Sequence, residues 1–309
     1  MAMQRRPLGR TGTDVTILGY GAMELRGQPR GPAIEDADAG RLLNAVLDGG
    51  INLIDTSIDY GRSEELIGRY LAHRRDEYFL ASKCGCPLGL RPDAVPPYQH
   101  DYGAGNVRAG IEQSLRRLGT DRLDLVQVHM SPSQAQLEAD ETIATLQSVR
   151  DEGKVRFIGM SGILPHLPDH LAMDVFDVFQ IPYSAVQREH EDLITAAAAA
   201  GAGTLIRGGA ARGAPAEEKG WRHGPLGQDA GEGQRRWESS GAEDLLSEMS
   251  RLEFVLRFTL SHPDLSAAIV GTSTLEHLES NLAVAEQGPL PIEVYEEAKR
   301  RLGSAGEAA

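Results

Sequence analysis

Four residue types able to handle a proton together recur in the first half of the chain. Asp55 and Tyr60 lie in "NLIDTSIDYGRSEELIG" (52–68), Lys83 in "ASKCG" and His129 in "LDLVQVHM". A free phenol, with a pKa of ~10, is too weak an acid for ready exchange at neutral pH. A lysine ammonium beside it favours the phenolate and is expected to lower that pKa, while an aspartate beyond the lysine keeps the ammonium charged. A histidine can hydrogen-bond a substrate oxygen or relay the proton. Such a set donates a proton to a carbonyl oxygen as charge develops there. No side chain supplies a hydride, so a nicotinamide cofactor is implied. Taken singly, each residue has an ordinary role: Asp55 a turn cap, Lys83 a lysine at a strand exit, His129 a core histidine, Tyr60 packing. Their common placement carries the argument.

That placement comes from the elements. Short apolar runs at 16–20, 52–56, 78–83, 123–129, 155–160, 175–180, 203–207 and 267–271 alternate with helical patterns. Continuous apolar runs are what strands covered on both faces require. Strand followed by helix, eight times over, is the count of a (β/α)8 TIM barrel, whose chemistry sits at the C-terminal strand ends. A doubly wound sheet is the alternative, but "GYGAME" (19–24) offers only G-x-G, and no phosphate-binding G-x-x-x-x-G-K-[ST] occurs. An N-terminal β-hairpin is expected over 5–15 and a C-terminal amphipathic helix over 292–302. The chain reads as one barrel domain over 1–309. The polar stretch 208–241 is expected to act as a lid, because it holds both tryptophans, Trp221 and Trp237.

Composition narrows the function. The chain has 309 residues, with 31 basic against 45 acidic and a formal net charge of −14. That argues against nonspecific nucleic-acid or anionic-membrane binding. No apolar run reaches the ~18 residues of a membrane span, and "MAMQRRPLGRTG" has no secretory apolar core, so a cytoplasmic location is expected. Cys84 and Cys86 are the only cysteines. One residue apart on an extended segment they point to opposite faces, which excludes a mutual disulfide and suggests a reducing compartment. A C-x-C metal site would lack further cysteine ligands, so no metal is expected.

The stretch "IDTSIDYGRSEELIG", an Asp followed five residues later by Tyr-Gly and then a helix, resembles the second-strand signature of the aldo-keto reductases, and the likeness runs along nearly the whole chain. The resemblance implies a catalytic tetrad of Asp55, Tyr60, Lys83 and His129, with Tyr60 the general acid and Asp59 a loop carboxylate. It implies that Ser161 and Gln180 bind the nicotinamide carboxamide. Gly162 stands where the family commonly has Asn, and Arg207 where it often has a stacking Tyr. A guanidinium plane can also stack on a flat ring. At the nucleotide end, "IVGTSTLEHLESNLA" places Gly271, Thr272, Ser273 and His277 around the ribose phosphate and Asn281 at adenine. The same stretch holds a Ser273-x-x-Glu276 capping box that needs no ligand. NADPH is the cofactor the family implies. The absence of Lys and Arg between Gly271 and Asn281 keeps NADH as the alternative.

The substrate is then an aldehyde or ketone, with Met23, Glu24, Met130, Trp221 and Trp237 as candidate contacts and 91–105 shaping the mouth. A monomer or weak oligomer is compatible with this reading. Competing readings are a Schiff-base aldolase through Lys83, a nucleotide-binding regulatory subunit with little turnover, and a metal hydrolase. The last ranks lowest, because no H-x-H or H-x-x-x-H pair falls at a strand end.

Overall fold

A computed structural model describes residues 3–89, 99–209 and 232–303. The hairpin pairs β1 (Arg5–Pro7) with β2 (Asp14–Thr16), antiparallel. The barrel strands are β3 (Leu18–Gly21), β4 (Leu53–Asp55), β5 (Phe79–Cys84), β6 (Leu123–Val128), β7 (Val155–Ser161), β8 (Val178–Pro182), β9 (Gly203–Arg207) and β10 (Ala267–Val270). They close in parallel in the order β10-β3-β4-β5-β6-β7-β8-β9. The helices are α1 (Asp36–Asp48), α2 (Ser63–Leu71), α3 (Ala104–Leu118), α4 (Gln134–Ala139), α5 (Thr142–Asp151), α6 (Leu167–Ala172), α7 (Glu191–Ala199), α8 (Glu232–Ser240), α9 (Arg251–Leu260), α10 (Leu275–Gln287) and α11 (Ile292–Arg301). The fold is a TIM barrel with an N-terminal hairpin and a C-terminal helix.

Strand periodicity explains both cores. Ile54, Leu80, Val126, Ile206 and Ala268 pack outward against the helices. Their alternates Leu53, Phe79, Leu125, Leu205 and Ala267 fill the barrel with Leu8 and Val15 from the hairpin. The hairpin therefore plugs the N-terminal end. Two residues further along the inward set come Asp55, Gln127 and Arg207, and four further comes Lys83, so the polar end of the interior is the C-terminal one.

The structure corrects several expected boundaries. The run 16–20 is divided at Ile17: Thr16 pairs with Arg5 in the hairpin, whereas Leu18 pairs with Ala268 in the barrel. Thr16 fixes the changeover, its amide donating to Asn52 Oδ1 at 2.7 Å and its hydroxyl to the Leu18 carbonyl at 2.8 Å. The apolar-patterned stretch 242–260, which reads as one helix, is interrupted, because Ser247 adopts a left-handed φ of 52° and Ser250 caps α9 by accepting from the Glu253 amide. The helix after β10 is capped one residue later than expected. Thr274, not Ser273, accepts from the His277 amide, at 3.3 Å.

Candidate active site

The inward ends of β4, β5 and β6 bring the polar groups together. Lys83 Nζ donates to Asp55 Oδ1 at 2.6 Å and to the Thr56 carbonyl at 2.8 Å. The other Asp55 oxygen accepts from Gln127 Nε2 at 2.8 Å and Gln180 Nε2 at 2.9 Å. Asp55, Lys83, Gln127 and Gln180 are all at least 96% buried, so this is a closed charge-assisted network. Tyr60 and His129 are part-exposed above it. Lys83 Nζ lies 4.9 Å from the Tyr60 ring centroid, and the Tyr60 and His129 rings meet edge-on at 6.5 Å.

The loop carrying Tyr60 needs the glycine after it. Gly61 has φ 48°, and a Cβ there would sit 2.1 Å from the Arg26 carbonyl oxygen. No other residue fits that turn without displacing backbone. The Tyr60 amide donates to Ser57 O at 3.0 Å, and Ser63 Oγ donates to Ala22 O, which fastens the loop to the segment after β3. His129 is held through its backbone: its amide donates to Cys84 O, and Tyr102 Oη donates to its carbonyl at 2.7 Å. Met130 and Ser131 follow in left-handed conformations, φ 68° and 53°. For non-glycine residues this costs about 1–2 kcal/mol each. Ser131 Oγ offsets the cost by exchanging hydrogen bonds with the Ile163 backbone.

Electrostatics sort the groups. Burial would depress the Lys83 ammonium, but Asp55 and Tyr60 outweigh it and hold the lysine above its ordinary value. Burial also decides Tyr60. Desolvation raises its pKa, and Lys83 opposes without reversing it. The lowering expected from the lysine is present, but burial outweighs it and the phenol is raised overall. His129 is pushed down to about 3, by burial first, with Lys83, His100 and Arg207 adding to it and Asp59 opposing. The site thus holds a neutral phenol, a charged lysine and a neutral imidazole.

The remaining sequence candidates fall into three groups. Ser161 and Gln180 are buried neighbours at the mouth, with Ser161 Oγ donating to Gln180 Oε1 at 3.2 Å and the Gly162 amide to the Gln180 carbonyl at 3.1 Å. Arg207 acts electrostatically on both Tyr60 and His129 from the end of β9. Tyr20 donates to the Thr272 carbonyl at 2.7 Å, tying the 271–273 turn to β3, with Asn281 buried on the helix that follows and His277 exposed. Met23, Glu24 and Met130 are part-buried. Trp237 is not at the mouth: 1% exposed, it packs edge-on against Phe254 and donates its indole N–H to Glu243 at 2.7 Å. Trp221 and 91–98 lie outside the described residues, and of the stretch 208–241, residues 232–240 form α8.

Three site residues escaped the sequence reading. Gln127 shares strand parity with Leu125 and His129, and that parity could have found it. Cys86 Sγ lies 3.1 Å from His129 Nδ1 and 3.8 Å from His100 Nε2. No spacing in the sequence signals that triplet, because a turn and a loop bring it together.

The carboxamide end of a nicotinamide has donors and acceptors of the right kind in Ser161 and Gln180. An amide would replace the long Ser161–Gln180 bond and leave the Gln180–Asp55 bond intact. Residue 162, a glycine, offers no side chain, and a Cβ added there would lie 2.8 Å from Leu167 Cδ1. The residues present fit the group with one contact fewer than the family pattern.

Residues 17–301 match the model of the aldo/keto reductase family. The chain belongs to that family and is thereby an oxidoreductase of carbonyl compounds. It is 27% identical over 298 residues to the uncharacterized oxidoreductase YqkF of Bacillus subtilis, covering 92% of this chain and 91% of that one. It is 29% identical over 301 residues to L-galactose dehydrogenase of Arabidopsis thaliana, covering 92% and 89%. The holo form of the aldo-keto reductase AKR11C1 from Bacillus halodurans superposes with a TM-score of 0.82 at 26% identity, over 98% and 97% of the two chains. Among the described residues no helix is long and apolar enough to cross a membrane.

Proposed function

We propose that this chain reduces an aldehyde or ketone to an alcohol with NADPH or NADH, using Tyr60 as the proton donor. The observation that carries the reading is the Asp55–Lys83 pair beneath Tyr60 and beside His129, four groups from three successive strand ends. When bound, the nicotinamide supplies the hydride. Ser161 and Gln180 hold its carboxamide, and Arg207 covers the ring. Gly271, Thr272, Ser273, His277 and Asn281 receive the adenosine end. Met23, Glu24 and Met130 border the substrate.

Tyr60 gives its proton to the carbonyl oxygen as charge builds there, and Lys83 stabilises the phenolate left behind. Asp55, gripped by Gln127 and Gln180, keeps the ammonium in place. Cys86 Sγ lies 3.1 Å from His129 Nδ1; with the thiol as donor, the imidazole proton sits on Nε2, free for the substrate oxygen. A Schiff-base aldolase is disfavoured, because it needs a neutral amine and Lys83 is held as ammonium by a buried carboxylate.

Family membership points to NADPH. The turn and first half of α10 over 271–281, without Lys or Arg and with Glu276 and Glu279 exposed, point to NADH. Titrating both nucleotides against the protein by tryptophan fluorescence, then assaying an aromatic aldehyde, tests the reading. Binding of either followed by its oxidation is expected. Binding without turnover over a broad carbonyl panel would move the assignment to a regulatory role, and no binding of either would overturn it.

A further inference from the structure

His129 of the tetrad also belongs to a second cluster, with Cys86 and His100. Cys86 Sγ and one ring nitrogen each of His100 and His129 all lie within 4.8 Å of one another. We propose that these three residues bind a borderline transition-metal dication of the Zn2+ class, with one coordination position left open.

The geometry is close to what such an ion needs. Bond lengths of about 2.3 Å to sulfur and 2.0–2.1 Å to nitrogen put tetrahedral ligand atoms about 3.3–3.6 Å apart. The observed separations of 3.1 Å from Cys86 to His129 and 3.8 Å from Cys86 to His100 bracket that spacing. The two ring nitrogens lie within 4.8 Å of each other, so His100, at a part-exposed position, would turn inward to close the set. One thiol and two imidazoles is a donor set suited to zinc, copper or nickel and poorly suited to magnesium or calcium. Three protein ligands leave the fourth position to water.

The surroundings support the ligands. The His100 and His129 rings meet edge-on at 5.5 Å, and both backbone anchors of His129 are fixed. Ser57 Oγ donates to Asp59 Oδ1 at 2.5 Å and stands 3.8 Å from Cys86 Sγ, so a hydroxyl and a carboxylate back the thiol. Asp59 acts on both Cys86 and His129, supplying negative charge beside the ion, with Lys83 and Arg207 acting against it. A thiolate, two neutral imidazoles and a dication leave one net positive charge, which Asp59 balances. On binding, the sulfur–metal bond forms as the thiol proton leaves to solvent. Cys84 takes no part, since it is buried in the outer, helix-facing core.

The test needs no turnover and is independent of the reductase assignment. The full chain, stripped with chelator and kept reduced, is titrated with Co2+. One equivalent should produce a thiolate-to-cobalt charge-transfer band and tetrahedral visible absorption, both removed by Zn2+. C86S should abolish the charge-transfer band and C84S should keep it. H100Q, at a part-exposed position, should weaken Co2+ by at least roughly tenfold, the lower end of what losing even an outer partner costs. Metal-free unfolding midpoints confirm that each variant is folded. Absence of the band in the unaltered chain, or unchanged affinity in folded H100Q, would overturn the proposal.

Discussion

Two opposing forces hold the proton on Tyr60. Desolvation raises the phenol, and the Lys83 ammonium pulls it back without winning. The lysine therefore acts on the phenolate formed during reaction more than on the resting phenol. The ammonium in turn depends on Asp55, and removing the carboxylate strands a buried cation. Asp55→Ala is expected to cost about 3–5 kcal/mol in urea unfolding. A loss within the ~1 kcal/mol of an exposed pair would show that the network is open to water. Asp55, Tyr60, Lys83 and His129 were legible because each is a polar residue ending or following an apolar run. Gln127 was not, because inside "LDLVQVHM" it reads as one polar position in a strand, and only its inward parity reveals it. Cys86 and His100 were illegible because their meeting depends on loop paths.

Elements set what the residues can reach. Trp237 suggested a lid by its presence in a polar stretch, yet α8 turns it into the helical layer against Phe254. Helix periodicity there is masked by the charged and small residues of "EGQRRWESS". Trp237→Ala should cost about 3–5 kcal/mol as a core cavity, with the KM for a carbonyl substrate unchanged. A raised KM with unchanged stability would return this tryptophan to the mouth. At Gly162 the family's asparagine would be crowded, since Leu167 Cδ1 and Met160 Cγ lie 2.8 and 3.1 Å from a Cβ and would have to shift. Gly162→Asn should destabilise by about 1–3 kcal/mol without tightening nucleotide binding, and Leu167→Ala in the same chain should recover part of the loss. Tighter nucleotide binding by the single variant would contradict this. Barrel strands were legible from their apolar runs, but the short helices α4 and α6 were not, each being too brief for a repeating apolar face.

At the scale of the molecule, four of the nine histidines are held neutral by the fold. His129, His170, His190 and His262 are all held below the ordinary imidazole value, by burial first. An unfolded chain takes up these protons near pH ~6.5, before the folded chain does. Below that pH the unfolded state binds more protons, so stability falls as pH falls. Their contribution is complete above pH ~6.5 and is lost towards the folded values, which for His129 is about 3. Relief of repulsion in a chain of net charge −14 acts the other way. Each 1 kcal/mol lost should lower the unfolding midpoint by about 2–4 °C for a chain of this order of size, so calorimetry should give a lower midpoint at pH 5 than at pH 7.5. An equal or higher midpoint would mean that charge relief dominates. Eight strands and an N-terminal hairpin were readable from the chain because the strand code is local. Closure, and the sharing of Asp55 by residues up to 125 positions away, is not local.

The central claim is that Tyr60 supplies the proton, and single-turnover kinetics of Tyr60→Phe test it most directly. The variant is saturated with reduced nicotinamide, mixed with an aromatic aldehyde, and followed by loss of cofactor fluorescence. The account predicts a rate constant at least about 10²-fold below that of the unaltered chain, the lower end of what a general acid contributes, with nucleotide affinity retained. Hydride transfer at the unaltered rate in Tyr60→Phe would contradict it.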